Sequence, residues 1–538
     1  MKKTHISAKG IASLSLMAGA TFGLSSCKEN ERPNFLIILA DDFGGMDTGA
    51  CGSTYYETPN IDRIAAEGIH FTDGYAACNV SSPTRASLMT GMYTPCHGIT
   101  DWIGSPTGEA WRKQGWHNMM LPPDYEHNLD TDKFLCLPQA LKDAGYSTFM
   151  AGKWHLGDKT TPEMAGFEIN KGGYHAGQPK GGYFSPYQNP KLEDGPDGEN
   201  LSMRLANETN AFIENHLKIN GRKKPFMAYL SFYATHTPVE TTKENWEYFR
   251  QKAIDNPVTD REAFKLDGNW TVAQIQDNPL YAGLVRQMDE AVGCVTQRLK
   301  ELGVDKNTIV IFMSDNGGFA SLGWFSTANY PYRGGKSYQW EGGTRIPFFI
   351  YAPMAKDNGR KCITPVNTVD IYPTLLDYAQ VECPDVDGVS LRPIIEGGNI
   401  EERPLFWHYP HYGGSGGDPT SIIRDGDWKL IHYHEDSHCE LYNLREDMME
   451  EHNVIADNAT LAEGMKEELM KWLKDSGAKM PVPDPEYSHE KRQQFLIKER
   501  KRILDEQNRK RDARLKEDYK PNDTWWGSQL SSIQPQDD

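Results

Sequence analysis

The chain has 538 residues, a formal net charge of −18 and nine cysteines. That length accommodates a large core and a second module, and the acidic balance argues against a broad face for nucleic acid or another polyanion. No Cys-x-x-Cys pair occurs, so zinc and iron–sulfur chemistry have no support.

The chain starts Met1-Lys2-Lys3, continues with an apolar stretch from about Ile11 to Leu24, and reaches Ser25-Ser26-Cys27. A basic start, a short hydrophobic region and small residues at its end describe a secretory signal. The apolar stretch is short for a membrane-spanning helix. Leu24-Ser25-Ser26-Cys27 resembles a bacterial lipobox. That resemblance implies removal of residues 1–26 and lipidation of Cys27. The exported protein would then be anchored to a membrane at Cys27, facing the periplasm or at the outer-membrane or cell surface. A plain signal peptide with an unmodified Cys27 is the alternative. No later segment is long and apolar enough to cross a bilayer. Export permits disulfides, and the sequence leaves their pairing open.

Four apolar, β-rich runs then end in reactive groups. Phe35-Leu36-Ile37-Ile38-Leu39-Ala40 runs into Asp41-Asp42, and Thr148-Phe149-Met150-Ala151 runs through Gly152 into Lys153-Trp154-His155. The run from Phe226 to Tyr233 leads to Ala234-Thr235-His236, and Thr308-Ile309-Val310-Ile311-Phe312-Met313 leads to Ser314-Asp315-Asn316. Near-continuous apolar strands predict a sheet covered on both faces. Helical patterns lie between them, at Leu137 to Ala144 and Leu284 to Leu302. Alternating strands and helices predict an α/β fold with a largely parallel sheet flanked by helices. Such sheets carry their sites at the carboxyl ends of the strands, so the four run ends predict one shared site. This main domain is assigned to residues 32–400.

The pattern changes near Pro404. Asp425-Gly426-Asp427 reads as a turn, Trp428 to Tyr433 and Glu440 to Leu444 as strands, and Leu461 to Leu473 as a helix. Residues 401–480 are therefore expected to form a smaller C-terminal α+β subdomain. Residues 481–538 form a charged tail, in which Glu490 to Asp518 reads as a solvated helix supported by charge pairs and the last residues as disordered.

Asp41, Asp42, Asp315 and Asn316 are hard oxygen donors from two strand ends. Adjacent strand residues point to opposite faces, so Asp41 and Asp42 can share one ion only where the chain has turned into a loop. Oxygen-rich donor sets favour calcium, magnesium or manganese. Lys153 and His155, two apart, share a face on an extended chain, while Trp154 packs elsewhere.

Ser81-Ser82-Pro83-Thr84-Arg85, followed by a run ending Leu88-Met89-Thr90-Gly91, has the form Ser-x-Pro-x-Arg. It looks like the signature of the type I sulfatases, in which the first residue is oxidised to formylglycine. Cys78 lacks the Pro and Arg offsets and is not the modified position. Gly152-Lys153-Trp154-His155-Leu156-Gly157, His236-Thr237-Pro238, Tyr332 to Lys336 and Glu341 to Pro347 resemble further segments of that family, in the family order over roughly residues 32 to 480. The resemblance implies an alkaline-phosphatase-like fold and a sulfuric ester hydrolase. It places formylglycine at Ser81 and one calcium ion on Asp41, Asp42, modified Ser81, Asp315 and Asn316. It assigns Arg85 and Lys153 to hold the hydrated aldehyde, and His155 to take a proton from it. Lys336 would bind sulfate, and His236 would protonate the leaving sugar oxygen. Arg345 is expected to be a structural anchor.

Serine at position 81 resembles the serine-type bacterial sulfatases, which implies a dedicated maturating enzyme as partner. The expected substrates are sulfated carbohydrates, either polysaccharides or glycosaminoglycan fragments. Substrate specificity is expected in loops at His97 to Trp102, Gly172 to Tyr187 and His408 to Tyr412. The alternatives are a phosphate mono- or diester hydrolase of the same superfamily, or an inactive glycan-binding homologue.

Overall fold

The computed structural model describes residues 32–521. The expected signal, Cys27 and the last residues of the tail lie outside the described residues.

Eight strands make the main sheet. They are β1 (Asn34–Ala40), β2 (Ile69–Phe71), β3 (Ser147–Gly152), β4 (Ile169–Lys171), β5 (Phe226–Ser231), β6 (Thr308–Ser314), β7 (Phe348–Tyr351) and β8 (Arg360–Cys362). Their order across the sheet is β8-β2-β7-β6-β1-β5-β3-β4. The strands β6, β1, β5, β3 and the edge strand β4 are mutually parallel, while β7 runs antiparallel to β6 and β2. The expected α/β architecture with a mostly parallel sheet is the one observed.

Alternate residues of β1 feed two separate cores. Phe35, Ile37 and Leu39 pack with Leu88, Met89, Leu137 and Leu375 on one face. Leu36, Ile38 and Ala40 pack with Ile61, Leu205, Leu284 and Val292 on the other. The helices α1 (Pro59–Glu67), α2 (Ser81–Thr90), α3 (Leu201–Asn220), α4 (Pro279–Glu301) and α5 (Ile371–Ala379) supply these partners, except Leu137, which comes from the short helix Leu137–Asp143. The continuous apolar runs thus arise because a two-sided burial leaves no solvent face to be polar.

Register sets the site. Ala40 lies beside Ser314, and Gly152 beside Ser231, so β1, β6, β3 and β5 deliver their following residues to one edge of the sheet. Gly152 has φ +103°, and a β-carbon there would meet the Ser231 carbonyl oxygen. Only glycine permits that turn and approach.

The C-terminal subdomain is an antiparallel sheet of β9 (Leu405–Tyr409), β10 (Thr420–Asp425), β11 (Trp428–Tyr433) and β12 (Cys439–Asn443), covered by α6 (Ala459–Asp475). Leu469 and Leu473 of α6 pack on Ile423, Leu430 and Leu441. The opposite face packs Trp407, Ile422 and Ile431 against Tyr75, Tyr338 and Trp340 of the main domain. A buried ionic cluster crosses the same boundary. Lys429 Nζ lies 3.0 Å from Glu341 and 2.8 Å from Glu450, and Arg345 and Arg424 both pair with Asp73. Arg345 is therefore the structural anchor that the sequence suggested.

The charged tail differs from the expectation of a solvated helix. Within α7 (His489–Arg514), Arg492, Leu496, Ile503 and Gln507 are buried, and Leu496 and Ile503 pack with Trp270 and Leu322. The Gln507 side-chain amide donates to the Thr271 and Leu322 carbonyls at 3.0 Å each. Charge pairs do occur on the outer face, such as Arg502 with Glu499 and Glu506. The inner stripe was hidden because two of its four members are polar.

Among the described residues no helix is long and apolar enough to cross a membrane. The eight cysteines there are all free thiols.

Candidate active site

Ser81 and Arg85 lie one helical turn apart at the start of α2, so both side chains face the same side. Every residue of α2 is buried, which aims this short helix into the sheet edge rather than along the surface. Arg85 Nε donates to Ser81 Oγ at 3.1 Å and to Asp315 Oδ2 at 3.0 Å, and a terminal nitrogen reaches the same Asp315 oxygen at 2.7 Å. The other terminal nitrogen donates to Ser231 Oγ at 2.6 Å and to the Lys153 carbonyl at 3.2 Å. A planar fork of donors can meet this many acceptors at once, which an ammonium cannot.

The chain after β1 turns sharply. Asp42 has φ +56°, its N–H donates to Asp315 Oδ1 at 3.1 Å, and the Phe43 N–H donates to Ser314 Oγ at 3.0 Å. The turn brings Asp41 and Asp42 to one place, as sharing an ion requires. Asp41, Asp42 and Asp315 each offer an oxygen within 4.8 Å of the others, and this is the one such potential metal-binding group among the described residues. Asn316 Nδ2 donates to Asp42 Oδ1 at 2.8 Å.

Two lysines and an imidazole ring the acids. Lys153 Nζ lies 2.6 Å from Asp41 Oδ2, Lys336 Nζ 2.8 Å from Asp42 Oδ2, and His236 Nε2 3.8 Å from that same oxygen. His155 Nδ1 lies 3.4 Å from Ser81 Oγ. Lys153 and His155 do face one pocket while Trp154 points away, its indole N–H bonding the Thr160 carbonyl at 2.7 Å. The reason is not strand alternation, since β3 ends at Gly152. His155 instead takes a left-handed backbone, φ +55°.

The charge balance is unequal. Burial, then Asp315, pushes the Asp41 carboxyl well above its ordinary range, against the pull of Lys153 and Arg85. Burial also opposes ionisation of Asp42, but Lys336, then His236, hold its carboxyl below the ordinary range. Burial is likewise outweighed at Asp315, where Arg85 and Lys153 lower the carboxyl. Burial, then Lys153 and Arg85, push the His155 imidazole well down. Desolvation, then Lys336, lower His236 to about 3.

A cation fits this arrangement. Asp41 Oδ1 and Asn316 Oδ1 are buried without a hydrogen-bond partner, and orphaned buried oxygens are costly unless something else satisfies them. Three carboxylates and an amide oxygen form a hard donor set suited to calcium or magnesium.

All ten residues singled out from the sequence are thus brought together, each touching another of the set. Several others were missed. Ser231 ends β5 and bonds Arg85. Asn79 Nδ2 donates to the Ser337 carbonyl at 2.8 Å while its own carbonyl accepts from the Ser337 N–H at 2.9 Å, which clamps the loop after Lys336 to the segment before Ser81. Ser231 was legible as the polar end of an apolar run, whereas Asn79 carried no signal. His97 and His408, from loops expected to govern specificity, are buried and hydrogen-bonded to Ser87 and Ser421, so they support structure.

Residues 33–381 match the Sulfatase family, and residues 334–476 match a family described as N-sulphoglucosamine sulphohydrolase, C-terminal. The chain belongs to the sulfatase family. This sulfatase is 28% identical over 521 residues to a sulfatase of Formosa agariphila, covering 82% of this chain and 89% of that one. It is 30% identical to the N-acetylgalactosamine-6-sulfatase of Rattus norvegicus, over 72% of this chain and 70% of the relative. The solved structure of Ps i-CgsB in complex with k-i-k-neocarrahexaose aligns with a TM-score of 0.66 at 25% identity, covering 88% of this chain and 99% of that one. The sulfatase is accordingly a sulfuric ester hydrolase.

Proposed function

We propose that this sulfatase removes sulfate esters from carbohydrates, using a formylglycine made from Ser81 and a calcium ion held by Asp41, Asp42, Asp315 and Asn316 beside residue 81. The observation that supports it best is the convergence of Ser81, Arg85 and His155 on a buried acidic cage with two orphaned oxygens. The relative named N-acetylgalactosamine-6-sulfatase and the neighbour solved with k-i-k-neocarrahexaose support a carbohydrate substrate.

The hydrated aldehyde at position 81 supplies a hydroxyl nucleophile, which an ordinary serine at neutral pH does not. The cation supplies positive charge against the sulfate oxygens. The side chains do the rest. Arg85 holds the oxygen of residue 81 and fixes Asp315 beside it. Lys153 neutralises Asp41. Lys336 and His236, both half-buried, line the open side next to Asp42 and meet the incoming sulfate. His236 is uncharged when empty, and an anionic sulfate beside it favours its protonated form, which then donates to the leaving sugar oxygen. His155 receives the proton of the hydroxyl on residue 81.

Serine at position 81 supports maturation by a serine-type maturating enzyme. Export and anchoring through lipidated Cys27 would place the sulfatase where extracellular glycans are encountered. Matured protein assayed on defined sulfated mono- and disaccharides, beside the matching phosphate esters, tests the reading. Sulfate release from a sugar with slower phosphate release is expected. Turnover of phosphate esters alone would overturn it.

A further inference from the structure

Ser82 follows the modified position and faces the same imidazole. It is fully buried, and its Oγ lies 3.2 Å from His155 Nδ1, closer than the 3.4 Å from Ser81 Oγ. The backbone N–H of Ile103 donates to Ser82 Oγ at 3.1 Å. A serine hydroxyl has one proton and two acceptor positions. With one acceptor position taken by Ile103, Ser82 still has a proton to donate, and His155 Nδ1 lies within its reach. In that direction of donation Nδ1 carries no proton, which leaves the imidazole proton to Nε2.

The ring is also held sterically. A β-carbon built on Gly177 would stand 2.6 Å from His155 Cε1 and 2.8 Å from Nε2. Bare backbone therefore lies against the imidazole, and the ring has little room to turn. Ser82 on one side and Gly177 on the other fix both its plane and its hydrogen-bonding edge.

We propose that Ser82 is a positioning residue that sets the Nε2-protonated tautomer of His155 and so keeps Nδ1 free of a proton beside residue 81. Its catalytic consequence rests on the sulfatase reading, whereas the tautomer does not. When the hydroxyl of residue 81 gives up its proton, that O–H bond breaks and an Nδ1–H bond forms. The Ser82 proton rotates away, and the second lone pair of Ser82 accepts the new Nδ1–H. Ser82 thereby serves the imidazole before and after the transfer without gaining or losing a proton.

The test uses the full-length protein in two forms. In protein with unmodified Ser81, made without the maturating enzyme, histidine nitrogen NMR reads the tautomer, with the His155 signal assigned by its loss in His155→Gln. Wild type should show an unprotonated Nδ1. Ser82→Ala should give a tautomer mixture, and Ser82→Thr, which keeps the hydroxyl, should restore the wild-type pattern. In matured protein, with rates normalised to aldehyde content by mass, Ser82→Ala should lower kcat about tenfold with KM nearly unchanged, the scale of one lost hydrogen bond. A protonated Nδ1 in wild type would overturn the inference, as would Ser82→Ala with wild-type tautomer and kcat. A matured wild type inactive on every sulfate ester would instead sink the functional reading and leave the tautomer result standing.

Discussion

Arg85 shows how one side chain can be both ligand and scaffold. It is 1% exposed and touches Ser81, Asp315, Ser231 and the Lys153 carbonyl. It thereby joins three strand ends to α2. Lysine at this position keeps the charge but not the fork. Arg85→Lys should leave Asp315 partly uncompensated and destabilise the protein by about 3 kcal/mol, read as a lower denaturant midpoint. Turnover should fall by at least about a hundredfold, because the donor that holds residue 81 is lost. A variant with wild-type midpoint and kcat would show that the contacts are incidental. The residue types at this site were legible because apolar runs stop where they meet chemistry. Asn79 and Ser82 were not, since an Asn or Ser beside a motif looks like any turn residue until its partners are in place.

At the level of elements, the site depends on loops pinned to one another. Glu240 is buried, and its carboxylate accepts from the Tyr183 N–H at 2.6 Å while one oxygen has no partner. It ties the segment after His236 to the Gly-rich stretch around Tyr183, whose hydroxyl in turn donates to the His236 carbonyl at 2.8 Å. Burial raises the Glu240 carboxyl to about 8. A carboxyl raised in the folded state contributes stability that is complete below its unfolded value near 4.5 and is lost as pH rises toward 8. Thermal stability should therefore decline over that window, and Glu240→Gln should flatten the decline and gain relative to wild type at pH 8. An unchanged pH profile in the variant would remove Glu240 as its cause. Four strands of the main sheet and two of the C-terminal sheet were legible from their apolar runs, whereas β9 and β10 were not picked out. The docking of α7 was not, because Arg492 and Gln507 occupy half of its buried stripe and a surplus of charge covers the rest.

For the whole molecule, an acidic chain must concentrate its cations where an anion binds. With both histidines uncharged, Lys153, Lys336 and Arg85 match the three carboxylates in number, so a divalent ion joining them makes the cluster net positive toward an anionic sulfate. Chelation with EGTA should abolish turnover and lower the melting temperature, and calcium should restore both. At free calcium of about a hundred times Kd, the gain in stability should be about 2.7 kcal/mol. Turnover and stability indifferent to EGTA would refute the cation assignment.

The most direct test of the central claim is the mass of the Ser81 peptide measured alongside sulfatase activity, in protein made with and without a serine-type maturating enzyme. The account predicts that the peptide loses two hydrogens only in the co-produced protein, that sulfate-ester turnover scales with that fraction, and that Ser81→Ala has neither. Full activity in protein whose residue 81 is entirely unmodified serine would contradict it.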